Sequence, residues 1–173
     1  MVPALVTLAN LLALAAGDAP PRAWLHFDSS TPLLLVAFVL FGFAEQTGWR
    51  GYALPRLTRR FGLPASSALL GTLWATWHLP LFFVVGSGQY GQAFAPYLLE
   101  VTGWSFLMSW LWRRAQGAVL PCVLAHMSIN VTAVTLGTTE HSAPWRLALW
   151  AMLIVSLAWS FVREARQATP RCA

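Results

Sequence analysis

Six apolar stretches, at about residues 2–17, 32–54, 64–86, 94–112, 117–137 and 144–162, are separated by short gaps that hold most of the charge. A membrane-spanning helix needs about 20 consecutive apolar residues, and most of these stretches approach that length. Only 10% of the 173 residues are charged and 57% are hydrophobic; soluble domains carry roughly 25% charged residues. Such a chain has too little polar surface to face water all round, so lipid is the solvent for most of it. The expectation is an all-α polytopic transmembrane helical bundle of about six spans. It forms a single membrane domain over 1–173, with its polar motifs in a core of about 32–137. The first stretch has the length of a signal peptide but no basic residue ahead of it, and reads as a retained helix.

All eleven basic residues are arginines, and they set the orientation. Arg50, Arg56, Arg59 and Arg60 follow the second stretch, Arg113 and Arg114 the fourth, and Arg163, Arg166 and Arg171 the sixth. Placing these three segments in the cytoplasm puts both termini there, in line with the excess of arginine on the cytoplasmic side of membrane proteins. The expected location is therefore multi-pass in a cell membrane, a bacterial inner membrane in the first instance. The net charge of +5 is explained by topology, and no nucleic-acid partner is expected. Cys122 lies in an apolar run and Cys172 in the tail, with no metal-ligand or disulfide pattern.

An ionisable group at mid-membrane costs at least about 2.5–3.5 kcal/mol on insertion scales, so each one suggests a function. The apolar stretches hold few: Glu45 and Arg50, His78, Glu100, His126, and the amide Asn130. On a regular helix Gln46 and Arg50 share a face, while Glu45 lies about 140° round from Arg50. That pairs Arg50 with Gln46 and leaves Glu45 free. His78 lies in an apolar setting, with Trp74 one turn earlier and Pro80 loosening the helix beside it. His126 and Asn130 stack on one helix face. Glu100 has no companion at helical spacing and reads as an interface residue or one that pairs with a neighbouring helix. His26 and His141 fall in loops. Each buried polar group alone is compatible with packing. Together, a carboxylate, two imidazoles and an amide on three stretches satisfy one another best in one wet cavity. Glu, His and His also suit activation of water, directly or through zinc.

Three segments carry a family resemblance. The first is Glu45-Gln46-Thr47-Gly48-Trp49-Arg50-Gly51-Tyr52, running on to Leu54-Pro55-Arg56-Leu57. The second places Trp74 four residues before His78-Leu79-Pro80, and the third is His126 with Asn130. In this order they resemble the CAAX protease and bacteriocin-processing family of intramembrane endopeptidases, which includes the type II CAAX prenyl proteases. The family's first motif is Glu-Glu-x-x-x-Arg; here the second glutamate is Gln46. The resemblance implies that Glu45, with His78, activates water and that His126 and Asn130 stabilise the oxyanion. Gln46, Arg50 and Trp74 would support them. It fits either zinc held by Glu45, His78 and His126 or a mechanism without metal.

The expected activity is hydrolysis of peptide bonds in membrane-associated substrates, prenylated or bacteriocin-like. The bilayer and a membrane peptide or protein are the expected partners, with a homodimer or membrane partner completing the surface of so short a chain. The competing readings are a non-catalytic relative that binds peptides as an immunity or scaffold protein, and a proton-coupled transporter using Glu45 and the histidines as a relay. Gln46 is the feature that favours the non-catalytic reading.

Overall fold

The computed structural model describes residues 1–168; Arg171 and Cys172 lie outside them. The described chain is helical, apart from connecting turns and one isolated β-bridge between Leu25 and Leu136. Six α-helices follow one another: α1 (Val2–Ala15), α2 (Thr31–Gln46), α3 (Leu54–Trp77), α4 (Phe94–Arg114), α5 (Leu120–Thr135) and α6 (Ala143–Ala168). A π-helical turn, Thr47–Ala53, joins α2 to α3, and a 3-10 turn, Leu79–Phe83, follows α3. Each of the six apolar stretches thus becomes a helix, with boundaries that differ where the sequence carries special residues.

The largest difference is at the second and third stretches, which run as one helical course, Thr31–Phe83. A straight helix would separate Glu45 from Trp74 by about 44 Å, yet the Trp74 Nε1–H donates to Glu45 Oε2 at 2.8 Å. The chain therefore folds back on itself, and it does so at Gly62, where φ is 75° and ψ 165°. A left-handed φ of this kind favours glycine, and Pro64 starts the return leg with its φ already helical. The return leg ends at Trp77. Pro80 has no N–H to donate to Thr76, so the chain tightens into the 3-10 turn and His78 becomes the cap of α3.

The α3–α4 interface is built from small side chains. Gly71 lies against Thr102 so closely that a Cβ there would come within 2.7 Å of the Thr102 Cα. The Ser105 hydroxyl donates to the Ser67 carbonyl at 2.8 Å. In lipid no hydrophobic gain drives helices together, so close backbone approach and interhelical hydrogen bonds do that work. The outer face of α2, with Leu33, Val36, Leu40 and Phe43, is exposed.

The two ends of the bundle differ in charge. Gly62, Arg113 and Arg166 surround one shallow cavity, and Arg113 pairs with Glu164 at 2.7 Å, so the three arginine-bearing turns share one end. At the other end α1 is tied to the α5–α6 connection. Asn10, fully buried, donates to the Gly137 carbonyl at 2.9 Å and accepts from the Thr139 N–H at 3.2 Å. With 14 residues, α1 is about 21 Å long, shorter than the roughly 30 Å hydrocarbon core. Two stretches, Thr31–Phe83 and Ala143–Gln167, are long and apolar enough to cross a membrane.

His141, in the loop where the sequence places it, pairs with Asp18 just past α1. Its backbone N–H and Nδ1 reach the two Asp18 oxygens at 2.9 Å and 3.1 Å. These bonds hold the Asp18 carboxyl well below its ordinary range, and Asp18 in turn raises the His141 imidazole above its usual 6.5. The raised His141 contributes stability that is complete below about pH 6.5 and fades as pH rises through the raised value; the lowered Asp18 contributes above 3.8 and loses effect only in stronger acid. Asp18→Asn should therefore lower Tm most between about pH 4 and pH 6.5, and less near pH 9. Equal losses across that range in detergent-solubilised protein would show that the ion pair does not form.

Candidate active site

Trp74 lies on the inner face of α3, almost fully buried, and the sequence-picked polar residues gather round it. Its indole N–H holds the Glu45 carboxylate from α2. Its main-chain carbonyl accepts from His78 Nδ1 at 2.8 Å, one turn on. A carbonyl only accepts, so the His78 Nδ1 carries hydrogen and the neutral ring presents Nε2 as a bare acceptor. The His126 ring, from α5, meets the Trp74 ring edge-to-face with centroids 5.1 Å apart. The Arg50 guanidinium lies over the same indole, 5.0 Å from the ring centroid. Three stretches distant in sequence thus converge on one indole.

Arg50 does not pair with Gln46 as helical spacing suggested. The Gln46 Nε2 instead meets His126 Nδ1 at 3.0 Å, both side chains buried. Nor does Glu45 face away from Arg50: both touch Trp74. The reason is the π-helical turn that begins at Thr47. Its i→i+5 hydrogen bonding widens the turn, so angles taken from a regular α-helix do not hold between positions 45 and 50. Arg50 is fully buried, and its three guanidinium nitrogens have no hydrogen-bond partner among the described residues. The Trp74 π face lies beside it, and Cys122 and Glu45 are near enough to act on its charge.

Asn130, one turn beyond His126 on α5, lines a cavity of about 580 Å³ together with Tyr97, Trp104, Glu100, Arg146 and Gln89. The cavity adjoins the cluster through its aromatic wall. Tyr97 meets the His78 ring at 5.9 Å between centroids, and Trp104 meets Trp74 at 6.0 Å. Glu100, the residue without a helical companion, pairs with Arg146 of α6 at 2.5 Å. The pairing of Glu100 with a neighbouring helix was one of the two sequence expectations for it, whereas Tyr97, Trp104 and Arg146 were not picked out. A signal was present, since Tyr97, Glu100 and Trp104 are spaced i, i+3, i+7 and fall on one face of α4.

The arrangement also bears on zinc. Among the described residues no three His, Cys, Asp or Glu side chains are gathered closely enough to hold a metal ion. The Nδ1 of His78 is engaged by Trp74 and that of His126 by Gln46. Glu45, His78 and His126 thus share Trp74 as a neighbour without being gathered into a three-ligand cluster among the described residues.

Residues 27–132 match the family model described as Type II CAAX prenyl endopeptidase Rce1-like, more than half of the 173-residue chain. The chain belongs to this family. Rce1-like membership agrees with the order of the three motifs, all of which fall within the matched residues. The chain is also similar to CAAX prenyl protease 2 of Methanococcus maripaludis, with 29% identity over 152 residues, covering 82% of this chain and 56% of that protein. The chain thus spans about half the length of the curated relative it matches.

Trp74→Phe keeps an aromatic ring but removes the N–H donor to Glu45. It should destabilise the protein by about 1 kcal/mol or somewhat more, because a half-buried carboxylate is left without its donor. In a Glu45→Met background the same change should cost much less. If thermal unfolding shows equal losses in both backgrounds, Trp74 contributes packing alone.

Proposed function

We propose that this chain is an intramembrane endopeptidase in which Glu45 and His78 activate water and His126 and Asn130 stabilise the tetrahedral oxyanion. The observation that carries the reading is the convergence of Glu45, His78 and His126 on Trp74 in an apolar bundle of the Rce1-like family. Separate burial of three such groups would be costly, whereas a shared wet site meets their needs.

In this reading the Glu45 carboxylate takes a proton from water while the bare His78 Nε2 accepts the second O–H and orients the molecule. The oxygen attacks the substrate carbonyl carbon. Negative charge collects on the carbonyl oxygen, where donors from His126 and Asn130 meet it. Collapse breaks the C–N bond, and the proton held by Glu45 passes to the leaving nitrogen. No metal takes part in this scheme. The cavity bounded by Asn130, Tyr97 and Trp104 holds the substrate segment beside the cluster. A prenylated or bacteriocin-like peptide is the substrate class, as the name of the archaeal relative suggests for the prenylated case. The arginine-bearing end faces the cytoplasm, the helices cross the membrane in about six passes, and the exposed apolar face of α2 meets lipid or a second subunit.

Gln46 is the observation that supports a second reading, in which the chain binds peptides without cleaving them. One experiment separates the two: cleavage of a quenched, prenylated CAAX peptide by purified protein in detergent. Glu45→Gln and His78→Ala should each lower kcat on the order of 100-fold or more with the helical circular dichroism unchanged. His126→Ala and Asn130→Ala should act in a similar range through the oxyanion. A chelator such as phenanthroline should leave the rate unaltered. Cleavage by Glu45→Gln at the wild-type rate would overturn the assignment, and no cleavage by the wild type would favour the binding protein.

A further inference from the structure

The two histidines of the cluster are held by partners of opposite kind. His78 Nδ1 faces a carbonyl oxygen, that of Trp74. His126 Nδ1 faces an amide nitrogen, the Gln46 Nε2, at 3.0 Å. An amide NH2 has only hydrogens to offer, so His126 Nδ1 must be the acceptor. A neutral imidazole carries one ring hydrogen, which then belongs on Nε2. The same contact opposes an imidazolium, because a second N–H would point at the hydrogens of the amide. Gln46 is fully buried and His126 nearly so, at 0% and 4% exposure, so water does not compete for this contact from outside.

We propose that Gln46 is a positioning residue that locks His126 in its Nε2–H tautomer, making it a neutral hydrogen-bond donor to the reacting carbonyl. The two rings are then fixed as opposites. His78 offers a lone pair, suited to accepting from water. His126 offers an N–H, suited to meeting a developing oxyanion. A glutamate at position 46 could only accept, and would draw the hydrogen to Nδ1. On the catalytic reading the glutamine is thus a working part of this site. The tautomer rests on the amide presenting its nitrogen to His126 Nδ1. Its use in catalysis rests on the oxyanion reading above.

The test is nitrogen NMR of the full chain in detergent, labelled with 15N-histidine, near pH 8. The chain has four histidines, and the His126→Ala spectrum identifies the fourth set of signals. The expected pattern for His126 is a protonated Nε2 and a bare Nδ1, and His78 should show the reverse. Gln46→Glu should bring hydrogen to His126 Nδ1. With the prenylated CAAX peptide it should lower kcat about tenfold, with KM changed less than twofold, as expected for an interaction made in the transition state. Gln46→Met, which keeps the volume and removes the donor, should give a mixed tautomer and a smaller loss, and it serves if the glutamate variant does not fold. A wild-type His126 that carries hydrogen on Nδ1 overturns the proposal, since the amide would then present its oxygen. A ring that inverts in Gln46→Glu with kcat unchanged overturns the catalytic half. If His126→Ala itself cleaves at the wild-type rate, the oxyanion reading has failed and the tautomer assignment stands on the spectrum alone.

Discussion

The indole of Trp74 is the piece of the molecule that α2, α3 and α5 share. A bundle in lipid has no water to satisfy stray polar groups, so each must find a partner within the protein. Trp74 meets that demand in several ways. Its N–H takes the Glu45 carboxylate, its carbonyl takes the His78 ring, its edge packs against His126, and its face receives the Arg50 cation. An indole suits this position because it joins a large apolar body to one donor. A phenylalanine would fill the space without gripping Glu45. The reversal at Gly62 brings Trp74 back to the level of Glu45, so the turn between the first and second motifs sets the geometry of the site.

Helix content and the placing of the helices were legible because lipid imposes one solution on long apolar runs. The special residues were also legible: Glu45, His78 and His126 stood out through the expense of burying them, and they do converge. What could not be read was how they pair. Gln46 and Arg50 fall four apart, which on a regular helix makes them neighbours, but the π-helical turn alters that angle and sends Gln46 to His126. Nothing local in Thr47-Gly48-Trp49-Arg50 announces i→i+5 bonding. It arises where tertiary contacts, here with Trp74 and His126, outweigh the regular ladder. The shortness of α1 was legible in its run of residues 2–17, but what fixes its end was not. Its apolar run has the composition of a span, while its end is fixed by Asn10 and Asp18 binding a loop more than a hundred residues away. The aromatic wall of Tyr97 and Trp104 escaped notice because aromatic residues are so frequent in this chain that one stripe does not stand out.

Arg50 raises the hardest energetic question in the fold. A fully buried guanidinium without a hydrogen-bond partner is costly, and a cation over an indole returns about 2 kcal/mol or somewhat more when desolvated. The remainder has to come from charge. Among the described residues Arg50 makes no ion pair at contact distance, but the Glu45 charge reaches it. The two together sum to zero. A second carboxylate at position 46, as in the family's usual motif, would leave the cluster with an excess negative charge unless a histidine took up a proton. Gln46 removes that excess. In a medium of low dielectric constant a neutral cluster is the cheaper one to bury, so the same glutamine that directs the His126 tautomer also balances the site. On this argument an amide in place of the second carboxylate leaves Arg50 to Glu45 and keeps the cluster neutral. The polar core can then keep the Glu45 carboxylate without a second acid to offset.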